Sequence, residues 1–219
     1  MLRWVTLESA ELPGGGRISL HARGDERVIR LDGRDLMSSR MHASEDALAE
    51  RACAGLGPAP RVLVGGLGLG FTLRAVLDAV GAGALVQVAE LAPAVVRWNR
   101  AQVGHFAGHP LADPRVRVFE GDVARCFRSP HAFDAILLDV DNGPGGRATA
   151  NPGLYGPASL RRIRHALRRG GVLGIWSPGG SPAFERRLRE VGFELESLRV
   201  RARGAAGGAR HVVWIARMR

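Results

Sequence analysis

The first 40 residues alternate between apolar and polar side chains, which is the period of a β-strand with one buried face. The alternation is clearest over residues 17–21 and 26–31, and turn sequences occupy residues 23–25 and 32–33. The pattern predicts a small antiparallel hairpin or meander at the N-terminal end.

A helical stretch follows, with Ser44 as the expected N-cap and with Glu45 and Asp46 in its first turn. It ends at the glycines that precede Pro58. We therefore expect a domain boundary near Pro58, between a small N-terminal unit of residues 1–57 and a main domain of residues 58–219.

From residue 61 onward, short apolar runs alternate with amphipathic stretches. The predicted strands cover residues 61–64, 84–89, 116–119, 133–138 and 172–176, and the predicted helices cover residues 71–80, 93–103, 123–128 and 157–168. Such alternation predicts an α/β fold with a doubly wound, mostly parallel, Rossmann-like sheet of seven strands. The last two strand-like runs, residues 193–200 and 211–216, should form an antiparallel hairpin at one edge.

A glycine-rich turn between the first main-domain strand and its helix is the clearest chemical signal. Gly66, Gly68 and Gly70 allow a sharp turn and let a ligand approach bare backbone, and Glu90 ends the next strand 20 residues later. A carboxylate there can accept hydrogen bonds from two ribose hydroxyls. The segment predicts a nucleoside-cofactor site, and the antiparallel C-terminal hairpin favours a methyltransferase-type sheet over a dinucleotide-binding one.

Composition places the chain among ordinary α/β proteins, with 219 residues of which 46% are hydrophobic and 24% charged. No apolar run approaches the roughly 20 residues of a membrane helix, so we expect a cytoplasmic protein. Cys53 and Cys126 have no metal-ligand spacing, and we expect no metal site.

The net charge of +10 comes entirely from residues 157–219, which hold 14 Arg against 4 acidic residues. All 31 basic residues are Arg, which indicates coding bias as much as phosphate binding. Binding of nucleic acid is not the favoured interpretation, but this Arg-rich region leaves it open. The N-terminal hairpin also leaves a homodimer open, through pairing of exposed strand edges.

An ordered set of five segments resembles the spermidine synthase family of aminopropyltransferases, a branch of the class I S-adenosylmethionine (SAM) methyltransferase fold. The resemblance covers roughly residues 26–178, and the segments are GGLGLGFTLRAVL, VQVAELAPAVVRWNR, HPLADPRVRVFEGDVARCF, FDAILLDVDNGPG and LYGPASLRRIRHALRRGGVLGIWS.

The resemblance implies roles for individual residues. Glu90 would bind the ribose, Asp122 and the Val123 N–H would bind adenine, and Asp139 would be the catalytic carboxylate that orients the nucleophile and accepts its proton. Structural alternatives stay open, since each acid could instead cap nearby backbone N–H groups. The full set of expected cofactor-binding residues is Gly66, Leu67, Gly68, Gly70, Glu90, Leu91, Asp122, Val123 and Asp139.

Substrate contacts are expected from Asp141, Asn142, Tyr155 and His42. Two departures from the family put the substrate in doubt. The family's DSSDP pattern becomes Asp139-Val140-Asp141-Asn142-Gly143, and residues 44–48 replace a pattern close to Tyr-His-Glu-Met-Leu.

A third departure concerns the donor. The family pattern GGGDGG becomes Gly66-Leu67-Gly68-Leu69-Gly70-Phe71, so Leu69 replaces an aspartate that holds the free amine of decarboxylated SAM. We therefore expect intact SAM as cofactor and methyl transfer to a small nucleophilic molecule. The alternative is polyamine aminopropyl transfer from decarboxylated SAM, and a third hypothesis is a non-catalytic or RNA-binding protein of the same fold.

Overall fold

The computed structural model describes residues 2–140, 143–144 and 153–218, and they form two β-sheets. The smaller sheet has four antiparallel strands in chain order, so the predicted N-terminal meander is larger than the sequence pattern indicated. Its strands are β1 (Val5–Glu11), β2 (Arg17–Arg23), β3 (Glu26–Leu31) and β4 (Arg34–Ser38).

The larger sheet has seven strands in the order β10-β11-β9-β8-β5-β6-β7. Strands β7, β6, β5, β8 and β9 are parallel, whereas β11 runs antiparallel to both β9 and β10. The predicted α/β fold with an antiparallel C-terminal hairpin is confirmed. The strands are β5 (Arg61–Gly65), β6 (Leu85–Glu90), β7 (Val116–Glu120), β8 (Phe133–Leu138), β9 (Leu167–Ser177), β10 (Phe193–Arg201) and β11 (Arg210–Met218).

Helices cover both faces of the larger sheet. They are α1 (Ala43–Cys53), α2 (Phe71–Ala79), α3 (Pro93–Trp98), α4 (Pro157–Ala166) and α5 (Pro182–Glu190). The segment Val123–Arg128 is a 3₁₀-helix, and α3 continues into a π-helical turn over Asn99–Val103. Within the described ranges, no helix is long and apolar enough to cross a membrane.

The two faces of the sheet build two separate cores, because successive side chains of a strand point to opposite faces. In β5, Val62 and Val64 pack with α1, α2 and the N-terminal sheet, while Leu63 packs with α4 and α5 on the other side. Helix α1 packs against α2 and β9. The domain boundary near Pro58 stays a prediction.

Three local expectations were wrong. Ser44 is not the N-cap of α1: the N-cap position is His42, whose side chain makes no capping hydrogen bond, and Ser44 lies buried inside the first turn, where its hydroxyl has tertiary partners. Helix α4 ends at Ala166 and β9 begins at once with Leu167, so this strand starts five residues before its predicted apolar run. Helix α5 was missed, although Ser181 caps it by accepting a hydrogen bond from Phe184 N.

Candidate functional site

A cavity of about 310 Å³ lies between the N-terminal sheet and the carboxyl ends of β5, β6, β7 and β8. Open parallel sheets bind ligands at this edge, where the loops after the strands diverge. One wall is apolar and comes mainly from the N-terminal sheet, and the other carries carboxylates and the glycine turn. The apolar wall includes Leu12, Ile18, Ile29, Leu31, Leu36 and Met37.

The glycine turn forms the floor of the cavity. Gly66 and Gly68 line it and have φ angles of 88° and 50°, which side chains rarely adopt. A Cβ at Gly66 would collide with the backbone carbonyl of Asp139. Gly70 has a φ of 90° and begins α2, but it does not line the cavity; its role is close packing, since a Cβ there would meet Pro110 Cγ at 2.9 Å.

Asn99, in the π-helical turn after α3, braces this glycine turn and was not predicted. Its Nδ2 donates hydrogen bonds to the carbonyls of Gly68 at 2.7 Å and Val95 at 3.0 Å. The side chain is buried, so these bonds are shielded from water. π-Helical turns are frequent at functional sites, but sequence periodicity gives no signal for them.

Glu90 lies at the end of β6 with its carboxylate fixed by backbone. Its Oε2 accepts a hydrogen bond from Leu67 N at 2.9 Å, and its Oε1 accepts one from Ala92 N at 2.8 Å. The side chain of Leu67 is buried, so this residue contributes its amide, whereas Leu91 lines the cavity and is 40% exposed. A carboxylate oxygen can accept more than one hydrogen bond, so these bonds from backbone amides are compatible with bonds from a ligand's hydroxyls.

Asp122 and Val123 line the cavity just after β7. Asp122 Oδ1 accepts a hydrogen bond from Ala124 N at 2.9 Å and so caps the following 3₁₀-helix. Capping occupies one lone pair of the carboxylate and is compatible with a second hydrogen bond from a ligand.

Asp139 follows β8 and also lines the cavity. Thr72, in the first turn of α2, donates a hydrogen bond from Oγ1 to Asp139 Oδ2 at 2.5 Å. Burial raises the pKa of Asp139 to about 6, while the bond from Thr72 opposes that shift. The carboxyl is therefore held in one orientation and can exchange a proton near neutral pH, as a general base requires.

Glu45 is a site residue that the sequence did not reveal. It lines the cavity from the first turn of α1 although its side chain is almost fully buried. Burial, and then repulsion from Asp139, raise the pKa of Glu45 to about 8. In the sequence it had the pattern of an ordinary helix-terminal acid, and only the departure of residues 44–48 from the family pattern marked this segment.

The cavity is therefore strongly acidic. Its lining carries the carboxyl groups of Glu45, Glu90, Asp122 and Asp139, and within the described part of the chain no Arg or His lines it. This contrasts with the formal net charge of +10 of the whole chain.

The expected substrate-binding residues are distributed differently. His42 lies outside this cavity: its ring stacks on Phe71 at 4.4 Å and its Nδ1 lies 2.8 Å from Asp46 Oδ2. Tyr155 is buried beside the cavity, with its hydroxyl donating to the Val140 carbonyl at 3.3 Å, and its neighbour Leu154 lines the cavity instead. Asp141 and Asn142 lie outside the described residues.

Leu69 occupies the hydrophobic core and does not line the cavity. Its side chain is fully buried, and its amide donates to Met37 Sδ at 3.1 Å. The identity of residue 69 therefore does not set the charge of the ligand-binding surface. That charge comes from the carboxyl groups of Glu45, Glu90, Asp122 and Asp139.

No family model matches the sequence, and no curated protein matches it. Solved structures do match. The spermidine synthase from Thermotoga maritima has a TM-score of 0.74 at 19% identity, covering 97% of this chain and 72% of that one. A spermidine synthase in complex with the transition-state analogue AdoDATO has a TM-score of 0.76 at 19% identity, covering 97% and 73%. A probable spermidine synthase from Corynebacterium glutamicum has a TM-score of 0.68 at 17% identity, covering 97% and 79%.

The chain therefore has the fold of the spermidine synthases, a fold of the class I SAM methyltransferase type. These neighbours overturn the prediction of methyl transfer from intact SAM, because they are spermidine synthases and favour the aminopropyl alternative. The physical error lay in Leu69. The prediction treats Leu69 as the loss of a carboxylate from the cavity, whereas its side chain packs in the core.

Proposed function

We propose that this protein transfers an aminopropyl group from decarboxylated SAM to a small amine. The observation that carries the proposal is the acidic cavity, in which Glu45, Glu90, Asp122 and Asp139 meet without a basic side chain among the described lining residues. A cluster of carboxylates in a half-enclosed cavity is costly unless a cation neutralises it. Both reactants are cationic, since the donor carries a sulfonium and an ammonium and the acceptor carries an ammonium.

The residues of the carboxyl edge suit the nucleoside part of the donor. Glu90 offers acceptors for ribose hydroxyls, and Asp122 with the Val123 N–H offers an acceptor and a donor for the adenine edge. Gly66 and Gly68 line the cavity and have no side chain, so a ligand can approach their backbone. A volume of about 310 Å³ is at the lower end of the range for small-molecule sites.

Asp139 is the group that we assign to the chemical step. Aminopropyl transfer forms a bond from the amine nitrogen to the carbon beside the sulfonium, and the carbon–sulfur bond breaks with its electron pair going to sulfur. The attacking nitrogen must lose a proton. Asp139, fixed by Thr72 and with a pKa of about 6, can orient the amine and accept that proton.

The experiment is an assay for 5′-methylthioadenosine and for the extended amine, with decarboxylated SAM and putrescine as reactants. We expect both products in equal amounts from the wild-type protein. Asp139→Asn should lower the rate by about 10² to 10⁴. Glu190→Gln, an exposed site at the end of α5, is the matched control and should leave the rate unchanged.

Absence of product with putrescine, cadaverine and spermidine, in a protein that is folded by circular dichroism, would refute the proposed function. Full activity in Asp139→Asn would refute only the role of Asp139 and would leave the proposed function intact.

A further inference from the structure

The position of Glu45 supports an inference about the acceptor. This inference rests on the proposed function and extends it. Glu45 comes from α1 and Asp139 from the end of β8, yet both side chains line the same cavity and repel each other. Within the described ranges, neither carboxyl forms an ion pair with an Arg or His. The chain thus brings two buried acids together without supplying their counter-charge.

A hydrogen-bond network holds the Glu45 carboxyl in place. Ser44 Oγ lies 2.6 Å from Glu45 Oε2 and donates its only proton to it. Trp176 Nε1 donates to the same hydroxyl at 3.0 Å, and His211 Nδ1 lies 2.8 Å from it. Because the serine proton goes to Glu45, His211 Nδ1 must donate as well, which uses both lone pairs of the serine oxygen.

The residues of this network come from three separate elements: Ser44 from α1, Trp176 from β9 and His211 from β11. An exposed acid of a helix's first turn needs no such support. A buried carboxyl whose orientation is fixed from three elements is instead arranged as a preformed binding group.

We propose that Glu45 and Asp139 together bind the protonated amine of the acceptor, so that Glu45 is a specificity-determining residue which selects alkyl amines without an anionic group. An ammonium between the two carboxyls supplies the missing counter-charge and can donate hydrogen bonds to both. Glu45 and Asp139 bind the acceptor as a cation, and Asp139 then accepts one proton from that nitrogen, which frees the lone pair that attacks the carbon beside the sulfonium.

The opposite wall defines the rest of the acceptor. Ile18, Ile29, Leu36 and Met37 line the cavity from the N-terminal sheet and offer apolar contact to a methylene chain. An acceptor with a carboxylate would face Glu45, Glu90, Asp122 and Asp139 without a lining cation within the described residues. Putrescine and butylamine should therefore bind, and 4-aminobutyrate, which is butylamine with its terminal methyl group replaced by a carboxylate, should not.

Binding should also release a proton. The ionisable groups around Glu45 are Asp139 across the cavity, Asp46 on α1 and His211 through Ser44, with Glu90 and Asp122 further along the lining. Burial and Asp139 raise the pKa of Glu45 to about 8, so this group holds a proton at pH 7 in the free protein. An incoming ammonium stabilises the ionised carboxylate and displaces that proton into solution.

The test measures putrescine affinity by calorimetry and proton release with an indicator dye in weakly buffered solution, on the wild-type protein and on Glu45→Gln. We expect the substitution to weaken putrescine binding at least tenfold and to abolish proton release, because it removes one partner of a buried charge pair. Affinity for decarboxylated SAM should change less, since Glu90 and Asp122 are intact.

Two further variants separate the effect of losing the Glu45 charge from an effect on folding. Ser44→Ala keeps the Glu45 charge but removes its hydrogen bond, so it should weaken putrescine binding while proton release persists. Glu190→Gln should behave as the wild type. Thermal unfolding of each variant verifies that it is folded.

The outcomes distinguish the two proposals. Unchanged putrescine affinity and proton release in Glu45→Gln, with normal transfer activity, would overturn the role of Glu45 and leave the proposed function intact. Binding of 4-aminobutyrate as tight as that of butylamine would overturn the selectivity. A Glu45-dependent amine site in a protein that forms no 5′-methylthioadenosine would overturn the proposed function alone.

Discussion

At the scale of single residues, Gly66 is a position where the backbone is tightly constrained. Its positive φ excludes most side chains, and any Cβ would collide with the carbonyl of Asp139. Gly33 has a similar φ of 79°, but a Cβ there would meet no atom within 4 Å. Alanine substitutions at Gly66 and Gly33 can therefore separate the cost of a positive φ from the cost of a Cβ collision.

We expect Gly66→Ala to lower the free energy of unfolding by about 2 kcal/mol more than Gly33→Ala, which carries the conformational cost alone. Urea unfolding of the two variants measures this difference. Equal midpoints would show that the chain relaxes around Gly66 without cost.

The acid pair makes stability depend on pH. The pKa of Glu45 is raised from 4.5 to about 8 and that of Asp139 from 3.8 to about 6, so the folded chain binds these protons more tightly than the unfolded chain. Their contribution is fully present below pH 4 and is lost as the pH rises through the folded-state values.

We expect the free energy of unfolding of the ligand-free protein to fall by on the order of 5 kcal/mol between pH 5 and pH 9. Glu45→Gln should remove most of this decline, since Gln cannot ionise. Chemical denaturation at a series of pH values measures both slopes, and parallel curves for the two proteins would contradict the assignment of the decline to Glu45.

Sequence reasoning could find residues whose role follows from local order. Glu90 and Asp122 stand directly after predicted strands, so the parallel sheet brings them to one edge, whereas their ligands stay a prediction. Glu45 and Thr72 could not be found in this way. Glu45 reaches the cavity from α1, and Thr72 reaches Asp139 from α2. Both contacts depend on tertiary packing, and the local pattern around each residue is that of an ordinary helix.

At the scale of elements, neighbouring residues of the glycine turn belong either to the cavity lining or to the hydrophobic core. Gly66 and Gly68 face the cavity, and Leu69 between Gly68 and Gly70 points into the core. A carboxylate at position 69 would therefore be buried among apolar side chains.

We expect Leu69→Asp to lower the free energy of unfolding by about 3 kcal/mol or more, and not to improve amine binding, because an unpaired buried charge is costly. Leu69→Met, which conserves volume, should cost less than about 1.5 kcal/mol. Denaturant titration with putrescine calorimetry measures both effects. A stable Leu69→Asp variant that binds amines more tightly would show that residue 69 does reach the cavity.

Element order was predictable where apolar runs were separated by turns, as in β5, β6, β7 and β8. The prediction of the boundary between α4 and β9 was wrong, because Leu167 follows the apolar face of the helix and begins the strand without an intervening turn. The two arginines and two glycines that follow Leu167 hide the start of the strand, where Leu167 pairs with Phe133 before a register shift and pairing resumes at Val172.

At the scale of the whole molecule, the cavity exists only because two sheets face each other. The carboxylates come from the larger sheet and α1, and most of the apolar wall comes from the N-terminal sheet. A ligand that contacts both walls should therefore stabilise both sheets together.

We expect decarboxylated SAM at 100 times its dissociation constant to add about 2.7 kcal/mol to the free energy of unfolding, and so to raise the melting temperature by roughly 5–10 °C. Hydrogen exchange should slow in β2, β3 and β4 as well as in β5 and β6. Protection confined to the larger sheet would indicate that the N-terminal sheet is not part of the donor site. The Arg-rich C-terminal surface and a homodimer both remain predictions.

The contrast between an acidic cavity and a basic chain has a practical consequence at the bench. Tris is a primary ammonium at neutral pH, and its small polar cation should enter a cavity whose lining is anionic. We expect it to act as a competitive inhibitor towards the amine, so that apparent KM values measured in Tris rise with its concentration. Protein purified and assayed in phosphate should show the amine affinity of the cavity itself.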